Sequence, residues 1–210
     1  MSDICVIFDL DGTLVDSEGL CNQAFLDLLP DLDDTSDSLT ARYRGLKLAH
    51  ILEDLEVRRR CALPSDFERR YRERVAKLFA RDLKATPGTH EMLCNLRFAR
   101  CVASSGPEPK IVDALHTSGL WPHFGDRIYS SYDVGSWKPD PGLFLHAAQS
   151  MGYAPCRCVV VEDSEVGLDA ASAAGMRALH YSPGTTPGEE EADSVFSHML
   201  ELPGLLARFG

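Results

Sequence analysis

Five short runs of consecutive apolar residues punctuate the chain, and each ends on polar or turn-forming residues. Cys5-Val6-Ile7-Phe8 runs into Asp9 and Gly12, Cys101-Val102-Ala103 into Ser104-Ser105-Gly106, and Ile128-Tyr129 into Ser130-Ser131. Residues 158–161 stop at Glu162-Asp163, and residues 176–180 stop shortly before Ser182-Pro183-Gly184. Continuous runs of this length, as opposed to alternating ones, fit strands buried on both faces. Between them lie segments with helical spacing over residues 89–96, 110–118, 141–151 and 165–174, the last closed by Gly175 as a C-cap. Strands alternating with helices predict an α/β fold, a Rossmann-like doubly wound parallel sheet.

The alternation breaks after Asp16. Helical signals over residues 18–29, 48–56 and 66–79 follow one another with no convincing strand between them. The stretch reads as an inserted α-helical cap domain, residues 16–84, and residues 1–15 and 85–210 then form the core domain. The acidic patches 31–37 and 189–191 read as solvated loops, and Arg58-Arg59-Arg60 and Arg69, Arg70, Arg72 and Arg74 as solvated helix faces.

Composition narrows the function classes. The chain has 210 residues, 44% hydrophobic and 25% charged, the balance of a globular domain with an insertion and not of a disordered or fibrous chain. Its 21 basic and 32 acidic residues leave a net charge of −11, which disfavours nucleic acid and anionic membrane surfaces as partners. No apolar run approaches the roughly 20 residues of a membrane span, and the first residues lack the basic flank of a signal peptide. Seven cysteines are scattered along the chain, with Cys5 and Cys158 in or beside apolar runs, which argues against a disulfide framework. Cys156 and Cys158 are the close pair, with no second pair to complete a zinc site. These features lead us to expect a cytoplasmic protein, a monomer or weak homodimer.

In a doubly wound sheet, ligands bind outside the carboxyl ends of the strands, which brings Asp9, Ser104, Lys138 and Asp163 into one candidate site. Asp9 and Asp11 crowd two carboxylates at one strand end, which is costly unless a cation neutralises them. Glu162 and Asp163 add further oxygen ligands, and an all-oxygen set suits Mg²⁺. Lys138 and Ser104 supply the positive charge and hydroxyl donor that hold phosphoryl oxygens. Carboxylates, metal, lysine and serine together indicate phosphoryl transfer.

At this point the chain resembles the haloacid-dehalogenase-like phosphohydrolases, in the helical-cap subclass near β-phosphoglucomutase. The resemblance rests on residues 6–18 (VIFDLDGTLVDSE), on Val102-Ala103-Ser104-Ser105-Gly106-Pro107, on Trp137-Lys138-Pro139-Asp140-Pro141, and on Val161-Glu162-Asp163-Ser164 with Gly167 and residues 173–176. It implies that Asp9 is the nucleophile, forming an aspartyl-phosphate, and that Asp11 is the general acid and base. It also implies that Gly12 and Thr13 turn their backbone amides to the phosphate, that Ser104, Ser105 and Lys138 grip it, and that Mg²⁺ is held by Asp9, Asp11 and Asp163 with Glu162 nearby. Asp11 disfavours halide chemistry, because dehalogenases of the superfamily lack this second aspartate. A phosphomutase is the alternative, yet Cys21 stands where the mutases carry a histidine on the first cap helix. Less favoured are a phosphonoacetaldehyde hydrolase, whose members carry arginine in the region of Lys138, and a non-catalytic phosphate-binding module, which would not need both Asp9 and Asp11.

A cap that closes over the core selects the substrate. Arg42, Arg44 and Lys47 form a basic cluster around Gly45 in an otherwise acidic protein, and reading them as contacts to an anionic or polyhydroxy group competes with reading them as a solvated face. Trp137 either lines the pocket or packs beneath it, and the six histidines from His90 to His198 show no ligand spacing. The motifs and cap look most like bacterial sugar-acid phosphatases. The expected partner is therefore a small phosphorylated metabolite, a sugar or sugar-acid phosphate such as 6-phosphogluconate.

Overall fold

The computed structural model describes residues 4–185 and 194–209, so the acidic stretch 189–191 lies outside the described residues. The chain opens with β1 (Cys5–Phe8) and then runs through α1 (Glu18–Leu28), α2 (Ser36–Tyr43), α3 (Leu48–Arg59) and α4 (Phe67–Asp82). It returns through α5 (Thr89–Asn95) to β2 (Ala99–Ser104), α6 (Glu108–Thr117), α7 (Trp121–Phe124), β3 (Ile128–Ser130), α8 (Ser131–Val134) and α9 (Gly142–Met151). It ends with β4 (Cys158–Glu162), α10 (Glu165–Ala173), β5 (Arg177–Tyr181), β6 (Val195–Phe196) and α11 (Leu202–Leu206). No described helix is long and apolar enough to cross a membrane.

The strands form one parallel sheet in the order β3-β2-β1-β4-β5-β6. Chain direction across the sheet reverses at β1, the switch point where a crevice opens. Phe8 is level with Val102 of β2 and Val161 of β4, so the three strands release their chains at the same height. Side chains alternate between faces. Cys5, Ile7, Cys101, Ala103 and Val160 pack with Phe144 and Ala147 of α9 and Ala170 of α10, whereas Val6, Phe8, Val102 and Val161 belong to the larger core with Ile111 and Leu115 of α6.

The inserted helices join that larger core through Phe25, Leu39, Leu55, Val75 and Leu78. Phe25 of α1 and Tyr71 of α4 stack with ring centroids 4.2 Å apart. The two connections to the sheet run side by side: Val15 and Ala85 form an antiparallel bridge, Asp16 N–H donates to Lys84 O at 3.0 Å, and Thr86 N–H donates to Leu14 O at 3.0 Å.

Three features depart from the sequence reading. The acidic stretch 31–37 is not a plain solvated loop, because it leads into α2, whose first turn is capped by Thr35 Oγ1 accepting from Ser38 N–H while Ser38 Oγ accepts from Thr35 N–H. Arg58 and Arg59 are not a solvated face either: Arg58 pairs with Asp34, and Arg59 pairs with Asp31 at 2.9 Å. The sixth strand, β6, spans two residues, too short to register as an apolar run.

Candidate active site

Asp9 leaves β1 with its N–H donated to Val161 O at 2.9 Å, which fixes the backbone between the two central strands. The buried Lys138 ammonium donates to both Asp9 Oδ1 and Glu162 Oε1. The second Glu162 oxygen accepts from Ser164 N–H at 2.7 Å and Ser164 Oγ–H at 2.9 Å. Both Glu162 oxygens are thus engaged within the protein, one on Lys138 and the other on Ser164. Burial lifts the Asp9 carboxyl above the ordinary carboxylate range; Lys138 opposes the rise, and the charges of Glu162 and Asp11 add to it. For Lys138 burial acts downward, and Asp9 and Glu162 outweigh it to raise the ammonium's pKa.

Asp163 is also buried, with Oδ1 accepting from Thr13 Oγ1–H at 3.0 Å. Burial, then the charges of Glu162 and Asp9, hold its carboxyl well above the usual range. Gly12 sits at φ +79°, and a Cβ there would collide with the Asp163 carboxylate. The expected amide contact of Gly12 to phosphate is therefore revised. Gly12 N–H is spent on Val15 O at 2.9 Å and neither Gly12 nor Thr13 lines the cavity, while the Thr13 hydroxyl goes to Asp163, a contact that leaves the expected role of the Thr13 amide untouched. Ser104 and Ser105 do line it, with Ser104 Oγ accepting from Gly106 N–H at 3.1 Å.

Asp11 brings in two residues that the sequence reading missed. Its Oδ1 accepts from Ser17 Oγ–H and its Oδ2 from the Lys110 ammonium, each at 2.7 Å. Burial pushes the Asp11 carboxyl up, but Lys110 and Ser17 outweigh it and hold the pKa below the ordinary value. The one sequence signal for Lys110 was a cation in the first turn of α6, where the helix dipole disfavours positive charge.

Over these groups lies a cavity of about 780 Å³ lined by both the core and the inserted helices. Arg44 and Lys47 line it. Arg42, exposed on α2, does not, and is removed from the site. Arg44 Nε donates to Glu18 Oε1 at 3.1 Å and lies 3.7 Å from Asp163 Oδ2. Gly45, at φ +74°, lets this loop settle on the core, because a Cβ there would come within 2.7 Å of Ser164 Cβ. Lys47 Nζ lies 3.7 Å from the centre of the Trp137 ring, so Trp137 supports the loop from outside the cavity lining. Arg72 of α4 donates to the Tyr132 hydroxyl at 2.8 Å, and Tyr132 packs edge-on against Trp137 with centroids 5.5 Å apart. Arg72 is accordingly a contact to the core and not part of a solvated face.

Among the described residues no group of three or more His, Cys, Asp or Glu side chains stands ready-made around a metal position. The donor chemistry nevertheless fits a hard divalent cation. Asp9 and Asp163 are buried and raised first by that burial, with the charges of Glu162 and Asp11 adding for Asp9 and those of Glu162 and Asp9 for Asp163, and each keeps an oxygen outside the hydrogen bonds described above. A surplus of buried negative charge, with one Asp9 oxygen outside the described hydrogen bonds and one Asp163 oxygen met only by Arg44 at 3.7 Å, is what such an ion relieves.

The chain is similar in sequence and shape to known proteins along nearly its whole length. It is 33% identical to the 6-phosphogluconate phosphatase of Escherichia coli over 205 residues, covering 95% of this chain and 93% of that one. A haloacid dehalogenase-like protein of unknown function from Agrobacterium tumefaciens has 32% identity and a TM-score of 0.83, with 97% of each chain covered. A haloacid dehalogenase family hydrolase from Deinococcus radiodurans, solved with bound phosphate and sodium, has 30% identity and a TM-score of 0.78 over 98% of this chain and 96% of that one. The family model for haloacid dehalogenase-like hydrolases matches residues 5–175, and with β1, β2 and β4 delivering Asp9, Ser104 and Glu162-Asp163 to one crevice, the chain belongs to that family of enzymes.

Proposed function

We propose that this hydrolase is a Mg²⁺-dependent phosphatase of small phosphate monoesters, a sugar or sugar-acid phosphate such as 6-phosphogluconate. The observation that carries the reading is Asp9, buried at the switch point with one oxygen held by Lys138 and lining the cavity between the core and the inserted helices. Asp9 attacks phosphorus, forming an aspartyl-phosphate, while the bond to the leaving oxygen breaks; Asp11, ionised in the resting site by Lys110 and Ser17, takes up a proton from water as the substrate's negative charge enters beside it and hands that proton to the leaving oxygen. Asp11 then takes a proton from water, which attacks the phosphorus, frees Asp9 and releases phosphate; proton transfer of this kind contributes roughly 10²–10⁴-fold. Ser104, Ser105 and Lys138 bind the phosphoryl oxygens. The Asp9 side chain, the Asp11 carbonyl and Asp163 would hold Mg²⁺, which when bound neutralises charge on the phosphoryl group.

Residues 16–84 act as the cap, with Arg44 and Lys47 meeting the non-reacting part of the substrate. The relative that acts on 6-phosphogluconate supports a sugar acid, whose carboxylate would suit these two cations. Water is the acceptor in this reading, because Cys21 offers no acid–base help: burial pushes its thiol up to about 11. The test is phosphate release from a panel of sugar, sugar-acid, nucleotide and small-acid phosphates, with Mg²⁺ and with EDTA. We expect release in Mg²⁺ alone, strongest on a sugar acid, and none from Asp9→Asn despite an unchanged circular dichroism spectrum. Near-full activity in Asp9→Asn would sink the assignment, and a sugar phosphate that isomerised without releasing phosphate would mean a mutase.

A further inference from the structure

The Lys110–Asp11 pair joins residues 99 positions apart, from the first turn of α6 and the loop after β1. The lysine ammonium lies 5.6 Å from the ring centre of Phe79 of α4, and its stem runs beside Gly106, where a Cβ would lie 3.4 Å from Lys110 Cδ. The two side chains are about a quarter exposed, to the cavity that both line. With Ser17 on the other oxygen, Asp11 is gripped at both ends of its carboxylate, which fixes the plane in which a proton can be given or taken. A cation at a helix N-terminus is electrostatically disfavoured, so α6 holds Lys110 at a cost that Asp11 offsets.

We propose that Lys110 is a positioning residue that, opposite Ser17, orients the Asp11 carboxylate for proton transfer with the leaving oxygen. This rests on reading Asp11 as the proton-transfer group. In this reading the Lys110 ammonium is spent on Asp11 and not on the substrate.

The experiment is a double-mutant cycle of Lys110→Met and Asp11→Asn in the full-length chain with Mg²⁺, read as kcat and KM on a sugar phosphate and on nitrophenyl phosphate. Lys110→Met is expected to lower kcat on the sugar phosphate about 10- to 100-fold with KM nearly unchanged, and to lower it less on nitrophenyl phosphate, whose leaving group needs little protonation. In the Asp11→Asn background the same substitution should change nothing further, and Lys110→Arg, which can still donate to the same oxygen, should recover most of kcat. A rise in KM with kcat intact would make Lys110 a substrate contact and overturn the proposal. Multiplying losses in the double variant would overturn it too. If Asp11→Asn alone shows no dependence on leaving group, the reading of Asp11 fails first, a result distinguishable from failure of the lysine's role. Should Lys110→Met not melt cooperatively, Lys110→Gln takes its place in the cycle and the same outcomes decide.

Discussion

Gly12 illustrates how closely the catalytic loop is packed. Its positive φ costs an L-residue roughly 1–2 kcal/mol, and the Asp163 carboxylate occupies the space a methyl group would need. Gly12→Ala should therefore destabilise the protein by at least about 1 kcal/mol in denaturant titration and also impair phosphate release, because Asp163 must move. A variant with an unchanged midpoint would show that the loop yields freely. At this scale the sequence was legible where chemistry sits at a strand end: Asp9, Asp11, Ser104, Lys138 and Asp163 all line the cavity. It was not legible where one residue's duty depends on a distant partner. Ser17 and Lys110 look like ordinary turn and helix residues until the fold brings them to Asp11. Thr13 sits inside the motif, yet its side chain serves Asp163 and not the phosphate.

Among the elements, α2 shows what periodicity misses. Its eight residues follow an acid-rich stretch with weak apolar spacing, and the helix is anchored by the Thr35–Ser38 capping box and by Leu39 and Tyr43, both buried. Removing the cap with Thr35→Ala should cost about 1 kcal/mol in thermal or chemical unfolding, with little change in kcat because Thr35 lies outside the cavity. An equally stable variant would mean that the Arg58–Asp34 and Arg59–Asp31 pairs hold α2 by themselves. The four longer core strands and the helices flanking them were legible because continuous apolar runs and helical spacing reflect burial directly. The acid-to-arginine pairing was not, since charge runs carry no record of which opposite charge they will meet.

Across the whole molecule, the carboxylates at the switch point tie stability to pH and to metal. Asp9 and Asp163 have folded-state pKa values above their unfolded ones, so the folded state binds more protons than the unfolded state in the intervening range. The stability these groups confer is complete below about pH 4 and is lost as pH rises towards 7, while Asp11, held low, is already ionised throughout that window. In EDTA the melting temperature should fall between about pH 5 and about pH 7, and Asp163→Asn should flatten the fall. Excess Mg²⁺ should restore more stability at the upper pH than at the lower, because an ion binds the deprotonated carboxylates. A metal effect independent of pH would separate the ion from these two groups.

The paired connections at Val15 and Ala85 tie the inserted helices directly to the loop that carries Asp11. Val15 is bridged to Ala85 on one side and to Asp11 on the other, and its carbonyl receives the Gly12 N–H. If residues 16–84 move as the proposed cap, this strap is where they turn, with Val15 four residues from the aspartate proposed to move protons. A rotation of that kind would bear on the loop that carries Asp11, placing opening and reactivity on one short stretch of backbone. Substitutions between Gly12 and Asp16 would then alter the timing of closure and the chemistry together, leaving evolution to retune substrate choice from the far ends of the cap helices instead.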